Sequence, residues 1–425
     1  MKKNKQIVMI CIILLILIIS ITCGLIYYSN MKEKKRNKLI REQINEIKEH
    51  YNEFVITNKK TNLYNNKNEK VGIIEKGIEL LLDPIKIDHN TKYFIVKNFD
   101  KKYYINYKDV NTIEEITKTD DRYKNYIVFN ENIVTGQKTT FYNESGEFLY
   151  EFDGAYSFPI IVKENEYYGV EYDNKLVYIK KDDVIEVKTN KNTNLVNSSG
   201  VAVLNYHAFY DENNAEEKRN CSSEICHSKK QFREHLELIK NSKILTLKMD
   251  EYEKYIDGKI QLTKSVLITI DDGGRTAGAI DLLTEYKMYA TIFLITSWFD
   301  LNDYYYTEFI EFHSHTHDMH NAGICPGGQG GGIKCLPRDT ILSDLKTSRE
   351  ELNGTKALCY PFYEYNNYSI ELAKEAGFTL GFAGESYYSD NLTHVGANKF
   401  ELKRFVITIY TSLNDLKTYF NQIKS

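Results

Sequence analysis

The 425 residues exceed what one hydrophobic core of ordinary size organises, so two or more domains are expected. Fifty-five lysines and arginines against 59 aspartates and glutamates leave a formal net charge of −4, which excludes the global basic field that gathers nucleic acid.

Lys2, Lys3 and Lys5 precede an apolar run over residues 7–28, long enough to span a bilayer as one helix. A cleaved signal peptide is the rival reading. The run is long, however, no A-x-A-like site follows it, and Cys23 lacks the small preceding residue of a lipoprotein signal. An uncleaved single-pass anchor is therefore expected over residues 1–30. Lys32, Lys34, Lys35, Arg36 and Lys38 make the following flank the more positive one, and the positive-inside rule alone would keep the rest of the chain inside. The cysteines argue the other way. Cys221 and Cys226 form one near-neighbour pair and Cys325 and Cys335 another, which suits disulfides in an oxidising compartment. Neither pair has the C-x-x-C spacing of a zinc ribbon, the alternative reading. The expected location is the cell membrane with the large domain extracytoplasmic.

Residues 31–50 have the charged, helical composition of a short stalk. Short alternating strands follow, with an internal repeat: T-N-L-Y-N at 61–65 returns as T-T-F-Y-N at 139–143, and Y-Y-I-N-Y-K-D-V at 103–110 returns in the L-V-Y-I-K-K-D-D-V of 176–184. Units of this size suit small β barrels, here 51–115 and 116–195. The pattern resembles bacterial SH3-like domains, which implies either wall binding or a spacer.

From residue 200 the alternation changes. Strand patterns at 201–206, 265–270, 290–295, 309–313, 357–361, 379–383 and 402–407 interleave with helical patterns at 229–241, 276–287, 338–352, 367–376 and 412–423. Alternating β and α predicts a parallel sheet closed into a barrel, with its site at the strand C-terminal ends.

Chemistry-bearing residues sit at those ends. V-L-I-T-I-D-D-G-G runs from a buried strand into two adjacent carboxylates and two glycines. Adjacent aspartates repel and lose hydration, so a cation is the natural offset. At 311–321, E-F-H-S-H-T-H-D-M-H-N places four histidines within eight residues, a density typical of metal chemistry. One Asp and two His leave a fourth coordination position for water, the pattern of a catalytic rather than a closed structural site. The G-G-Q-G-G-G of 327–332 lacks a phosphate-loop lysine and a preceding strand, and reads as a flexible insertion near the site mouth.

T-I-D-D-G at 269–273 resembles the T-F-D-D-G motif of the polysaccharide deacetylases, the NodB-homology domain of carbohydrate esterase family four. H-S-H-T-H at 313–317 satisfies that family's H-[ST]-x-x-H motif. S-H-T-x-x-x-x-H at 314–320, with the Y-H pair that ends V-A-V-L-N-Y-H at 201–207, fits better the subgroup that includes the poly-N-acetylglucosamine deacetylases. The resemblance covers residues 200–425 and implies an α/β fold, a distorted (β/α)7 barrel preceded by the two all-β units and the transmembrane helix. It implies Asp272, His315 and His320 as ligands of a divalent metal, with zinc expected from the mixed nitrogen and oxygen donors. It implies Asp271 as the base that takes a proton from the attacking water, and His207 as the acid that protonates the leaving amine. Tyr360-Pro361-Phe362 resembles a third motif, R-x-P-Y, which makes the Phe362 N–H the oxyanion donor. That motif's base-orienting arginine is Cys359 here, and Arg404 is the candidate substitute.

The expected substrate is an acetylated glycan, peptidoglycan or poly-N-acetylglucosamine, with peptidoglycan favoured. No protein partner is implied. An O-acetyl esterase and a non-catalytic wall-binding protein are the alternatives; the complete Asp271, Asp272 and His207 set speaks against the second.

Overall fold

The computed structural model describes residues 2–87, 93–118, 120–190, 196–384 and 392–424. The chain divides into two compact units. One comprises Met1–Asp121, Val134–Phe158 and Val170–Glu186; the other comprises Arg122–Ile133, Pro159–Gly169 and Val187–Ser425.

The first unit begins with one continuous helix, Lys2–His50, that takes in both the apolar run and the charged stalk. Its stretch Ile13–Glu42 contains a window long and apolar enough to cross a membrane, by length and composition. The rest is antiparallel sheet, and the sequence repeat is a repeat of structure. Thr61–Tyr64 and Lys138–Tyr142 each open a hairpin, with Leu63 opposite Gly72 in one and Phe141 opposite Tyr150 in the other. Each strand carries a register shift before its final tyrosine. Asn65 and Asn143 then close the turns identically, accepting at Oδ1 from the N–H of Glu69 and Glu147. The second repeated stretch gives strands Tyr103–Asn106 and Lys175–Lys180, each running into a single 3-10 turn. The two hairpins pair with each other, Tyr150 opposite Ile74, so the repeats share a sheet.

Among the described residues the second unit is built on an eight-stranded parallel sheet, in which Leu245–Thr246 pairs beside the start of β2 and the other seven form one path: β1 (Ala202–Tyr206), β2 (Ser265–Ile270), β3 (Ala290–Leu294), β4 (Ile310–Ser314), β5 (Ala357–Cys359), β6 (Leu380–Phe382) and β7 (Phe405–Val406). Their order is β6-β5-β4-β3-β2-β1-β7, so β1 lies between β2 and β7. The sheet curls until its edges meet. Leu402, on the approach to β7, bridges Phe382 of β6, donating its N–H to Gly381 O (3.0 Å) and accepting from Ala383 N (2.8 Å). Every residue of β1, β2 and β3 is buried, which explains their unbroken apolar runs.

Five helices cover the outside: α1 (Lys229–Asn241), α2 (Ala277–Tyr286), α3 (Arg338–Glu351), α4 (Asn367–Glu375) and α5 (Leu413–Asn421). Phe232, Leu236, Leu283, Tyr419 and Phe420 pack from α1, α2 and α5 into the main core. Ser228 caps α1 through Gln231 N, and Ser412 caps α5 through Asp415 N, each supplying an acceptor to a first-turn N–H. Two helices of the second unit were not expected from the sequence, the short Ala215–Arg219 and Met249–Ile256. Met249–Ile256 starts with a buried glutamate, Glu251, that pairs with Arg122.

Candidate active site

Asp271 and Asp272 follow β2, and the backbone turns sharply between them. Asp272 adopts φ 69° and Gly273 φ 95°. A Cβ at Gly273 would lie 2.3 Å from the Leu294 side chain, so both the conformation and the space require glycine there. The turn separates the carboxylates by environment: the Asp271 side chain is 1% exposed, that of Asp272 33%.

Asp271 meets Arg404 in a two-pronged ion pair, Nη1 to Oδ1 at 2.6 Å and Nη2 to Oδ2 at 2.8 Å. The guanidinium is wholly buried and its remaining donors are satisfied: Nε by Ala383 O (2.8 Å) and Nη1 also by Thr269 Oγ1 (3.1 Å). Cys359 completes the group, its Sγ 3.0 Å from Arg404 Nη2 and 3.4 Å from Asp271 Oδ2. Burial alone would push the Asp271 carboxyl up; the charge and hydrogen bonds of Arg404 win, and hold it well below the usual carboxylate range.

Across the mouth, His315 Nε2 is 3.4 Å and His320 Nε2 3.5 Å from Asp272 Oδ1. His315 Nδ1 lies 2.9 Å from the Cys359 carbonyl, a bond that needs the proton on Nδ1 and so presents the Nε2 lone pair to Asp272. The ligand atoms of the three residues all lie within 4.8 Å of one another, and Asp272 Oδ1 is buried without a hydrogen-bond partner. A carboxylate oxygen so placed beside two imidazole nitrogens fits a divalent cation. Asp271, His315 and Cys359 also group within 4.8 Å, but the Arg404 guanidinium occupies that position, and its positive charge opposes a cation there.

The other two histidines of the cluster go elsewhere. His313 is buried against Thr355 Oγ1, and burial lowers its pKa to about 3. His317 contacts Thr296 Oγ1 (2.9 Å) and Glu351 (3.0 Å).

His207 follows β1, with Nε2 3.9 Å from Asp271 Oδ2 and 3.1 Å from the Tyr363 hydroxyl. The Tyr363 hydroxyl donates to Asn205 Oδ1 at 2.8 Å. Neither Tyr363 nor Asn205 was expected at the site; the Y-P-F-Y run and the asparagine of N-Y-H carry no signal that would have joined them. Burial lowers the His207 pKa, partly offset by the charges of Asp271 and Asp272.

Phe362 has φ 57° and Tyr363 φ 63°, two consecutive left-handed residues that are not glycine. This turn lays the Phe362 ring on His320, centroids 4.4 Å apart. The half-exposed Trp298 meets the same histidine edge-on at 5.6 Å. Tyr304 and Tyr305 tie loops together, donating to Gly273 O and Asp281 Oδ1.

Both cysteine pairs are disulfide-bonded, Cys221 to Cys226 and Cys325 to Cys335. The glycine-rich segment expected to be flexible is pinned: Glu364 accepts from Gln329 N (2.6 Å), Gly331 N (2.8 Å) and Lys334 Nζ (2.8 Å). The resulting cleft has a volume of about 800 Å³, and its lining includes His207, Asp271, Asp272, His315, His320 and Phe362. These are the residues that sequence reasoning singled out, joined by Tyr363; Arg404 lies behind Asp271.

Residues 259–381 match the family model described as Polysaccharide deacetylase. Poly-beta-1,6-N-acetyl-D-glucosamine N-deacetylase of Staphylococcus aureus (strain MRSA252) is 32% identical over 181 residues, 37% of this chain and 61% of that protein. The enzyme of the same name from Staphylococcus epidermidis is 30% identical over 177 residues, 36% of this chain and 59% of its own. The chain thus spans about three fifths of the length of the curated relatives it matches. Among solved structures, a de-N-acetylase from Aggregatibacter actinomycetemcomitans aligns at a TM-score of 0.43 and 19% identity, covering 52% of this chain and 99% of that one. The stretch that matches the polysaccharide deacetylase model lies wholly within the second unit. His207 and Arg404 both lie outside the residues matched by the family model.

Proposed function

We propose that this polysaccharide deacetylase domain hydrolyses N-acetyl groups from an N-acetylglucosamine polysaccharide, with Asp271, His207 and the Asp272–His315–His320 group as its machinery. The observation that carries the reading is the unpaired, buried Oδ1 of Asp272 between two imidazole nitrogens, next to an ionised Asp271.

Bound by Asp272, His315 and His320, a divalent cation, zinc on the donor set, supplies Lewis-acid polarisation of the acetyl carbonyl and of water. Arg404 keeps Asp271 ionised throughout the working pH range, so its carboxylate is available to take the proton of the attacking water, at some cost in basicity. His207, whose Nε2 lies 3.9 Å from Asp271, delivers a proton to the departing amine nitrogen. The Phe362 N–H is the proposed oxyanion donor; the next two N–H groups in that turn close back on Tyr360 O and Pro361 O. The disulfide-bounded loop pinned by Glu364 and the ring of Trp298 form rims against which neighbouring sugars can rest.

The glycan named by the staphylococcal relatives is poly-β-1,6-N-acetyl-D-glucosamine, and that polymer is the substrate we propose. The sequence-based preference for peptidoglycan gives way here to the polymer that these relatives name. The Lys2–His50 helix is proposed to anchor the enzyme with the deacetylase domain outside the membrane, where both substrate and disulfides belong.

The test is release of acetate and appearance of free amines from poly-β-1,6-N-acetylglucosamine and from peptidoglycan, with Asp271→Asn as control. Release from the first polymer alone supports the reading. Release from neither, by cation-loaded protein, rejects it.

A further inference from the structure

We infer that Tyr363 is a positioning residue: its hydroxyl, tied to Asn205, holds the proton of the His207 imidazole on Nε2. The inference rests on the proposed acid role of His207 only for its kinetic consequence; the proton position follows from hydrogen bonds alone.

A tyrosine hydroxyl has one proton to give. Tyr363 spends it on Asn205 Oδ1 at 2.8 Å. The amide group of Asn205 has its oxygen on that side, because its nitrogen faces the Tyr206 carbonyl at 3.3 Å. Towards His207 Nε2, 3.1 Å away, the hydroxyl can then only accept. A neutral imidazole that donates from Nε2 carries a bare lone pair on Nδ1, and Nδ1 is the nitrogen found buried without a partner. An unpaired acceptor there is the cheaper arrangement. The opposite tautomer would bury an unpaired N–H and aim the Nε2 lone pair at ionised Asp271 Oδ2, 3.9 Å away. The charged and titratable groups acting on His207 are Asp271, Asp272, Arg404 and His315, and the two carboxylates favour a proton on it.

The fold gives up regular geometry to place this hydroxyl. Phe362 and Tyr363 both hold left-handed backbone conformations. A Cβ on Gly384 would lie 2.5 Å from the Tyr363 ring, so that position must lack a side chain for the ring to enter. A tyrosine kept only for packing would not need its hydroxyl lodged between Asn205 and His207.

The experiment uses the full chain in detergent micelles, with ¹⁵N-labelled histidine. Long-range imidazole correlations read the tautomer of each ring, and His207→Gln identifies the His207 signals. The expected result is the Nε2–H tautomer in the parent and a mixture in Tyr363→Phe. Asn205→Leu frees the tyrosine proton to point at His207 and should shift the ring towards Nδ1–H. A parent already in the Nδ1–H form, or a tautomer unmoved by both variants, overturns the inference.

Kinetics then separate it from the acid role. Tyr363→Phe should lower kcat on the order of 10-fold with KM nearly unchanged, about what one hydrogen bond is worth. The same change made on top of His207→Ala should cost nothing further; an additive loss means that Tyr363 does not act through His207 and counts against the inference. If His207→Ala itself leaves kcat unchanged, the acid role fails, while the tautomer measurement still decides the position of the proton.

Discussion

Arg404 and Asp271 face each other at the barrel mouth as a bidentate ion pair with both side chains out of contact with water. Asp271 ends the β2 segment and Arg404 stands just before β7, with β1 between the two strands. Arg404 thus reaches Asp271 from the approach to β7, and the Cys359 thiol lies beside its Nη2 at 3.0 Å.

Removing one partner of a buried pair leaves the other charged and unsolvated. Arg404→Met should cost about 3–5 kcal/mol of stability, read by urea unfolding at pH 7. The pH dependence has a defined sign. The folded-state pKa of Asp271 lies below its unfolded value of about 3.9, so its contribution is full above that value and is lost as pH falls through the lower one. In the variant, burial without the guanidinium raises the folded-state pKa above the unfolded value, so this group's acid-side loss should disappear and the stability deficit should shrink as pH falls.

Asp272→Asn, His315→Gln and His320→Gln should each lose the bound cation, measured by elemental analysis of dialysed protein. His313→Gln should keep it, because His313 lies against Thr355 and outside the donor group. A cation at 100 times its Kd should add about 2.7 kcal/mol to the stability of the parent and little to that of the three ligand variants. Cation retention by His320→Gln together with loss in His313→Gln would reverse the assignment.

His207→Ala should lower kcat by about 100- to 10,000-fold without changing metal content. The parent profile should be bell-shaped. Burial depresses the His207 pKa, so the limb that belongs to it is expected on the acid side of about 6.5, and it should flatten in the variant.

A further buried histidine contributes to the loss of stability in mild acid. His235 is buried with Nδ1 3.0 Å from the Tyr206 hydroxyl, and burial lowers its pKa to about 4. Between its unfolded value of about 6.5 and that value, the unfolded chain holds a proton that the folded chain refuses. Stability should therefore fall as pH drops across this window, by up to about 1.4 kcal/mol per pH unit from this group. His235→Gln should remove that part of the slope, measured as Tm against pH.

Protease added to intact, wall-stripped cells should remove the deacetylase domain, if the Lys2–His50 helix anchors it outside. Protection until lysis would place the domain on the other side.

Much of the site was legible because its residues end apolar runs. Asp271, Asp272 and His207 follow β2 and β1, and a strand buried on both faces announces itself in sequence. Choosing His315 and His320 among four histidines was not possible from local pattern; it came from the spacing of a resembled motif, and the backbone turn at Thr316, φ 71°, is what separates His315 from His317 in space. Arg404 and Tyr363 were the hard cases. Arg404 was named only as a candidate substitute for the motif arginine missing at Cys359, and nothing within a few residues of it reveals that Asp271 lies opposite. Tyr363 reaches His207 through a strained turn, and backbone strain leaves no mark in composition. The short Met249–Ile256 helix was missed for a related reason: its buried Glu251 is stabilised by Arg122, far away in sequence.

The position of Arg404 also bears on when the candidate site is completed. Asp271 and Asp272 leave the ribosome more than 130 residues before the guanidinium that neutralises the buried carboxylate, and His207 earlier still. Strands β1 to β6 can pair in the order in which they are made, but β7 must return to the far side of β1 across some 200 residues, a slow closure on topological grounds. Until it arrives, Asp271 is a lone charge in an open sheet that favours staying solvated. The buried Arg404–Asp271 pair is therefore completed late, only after translation has passed Arg404, and the candidate site stays unfinished until then.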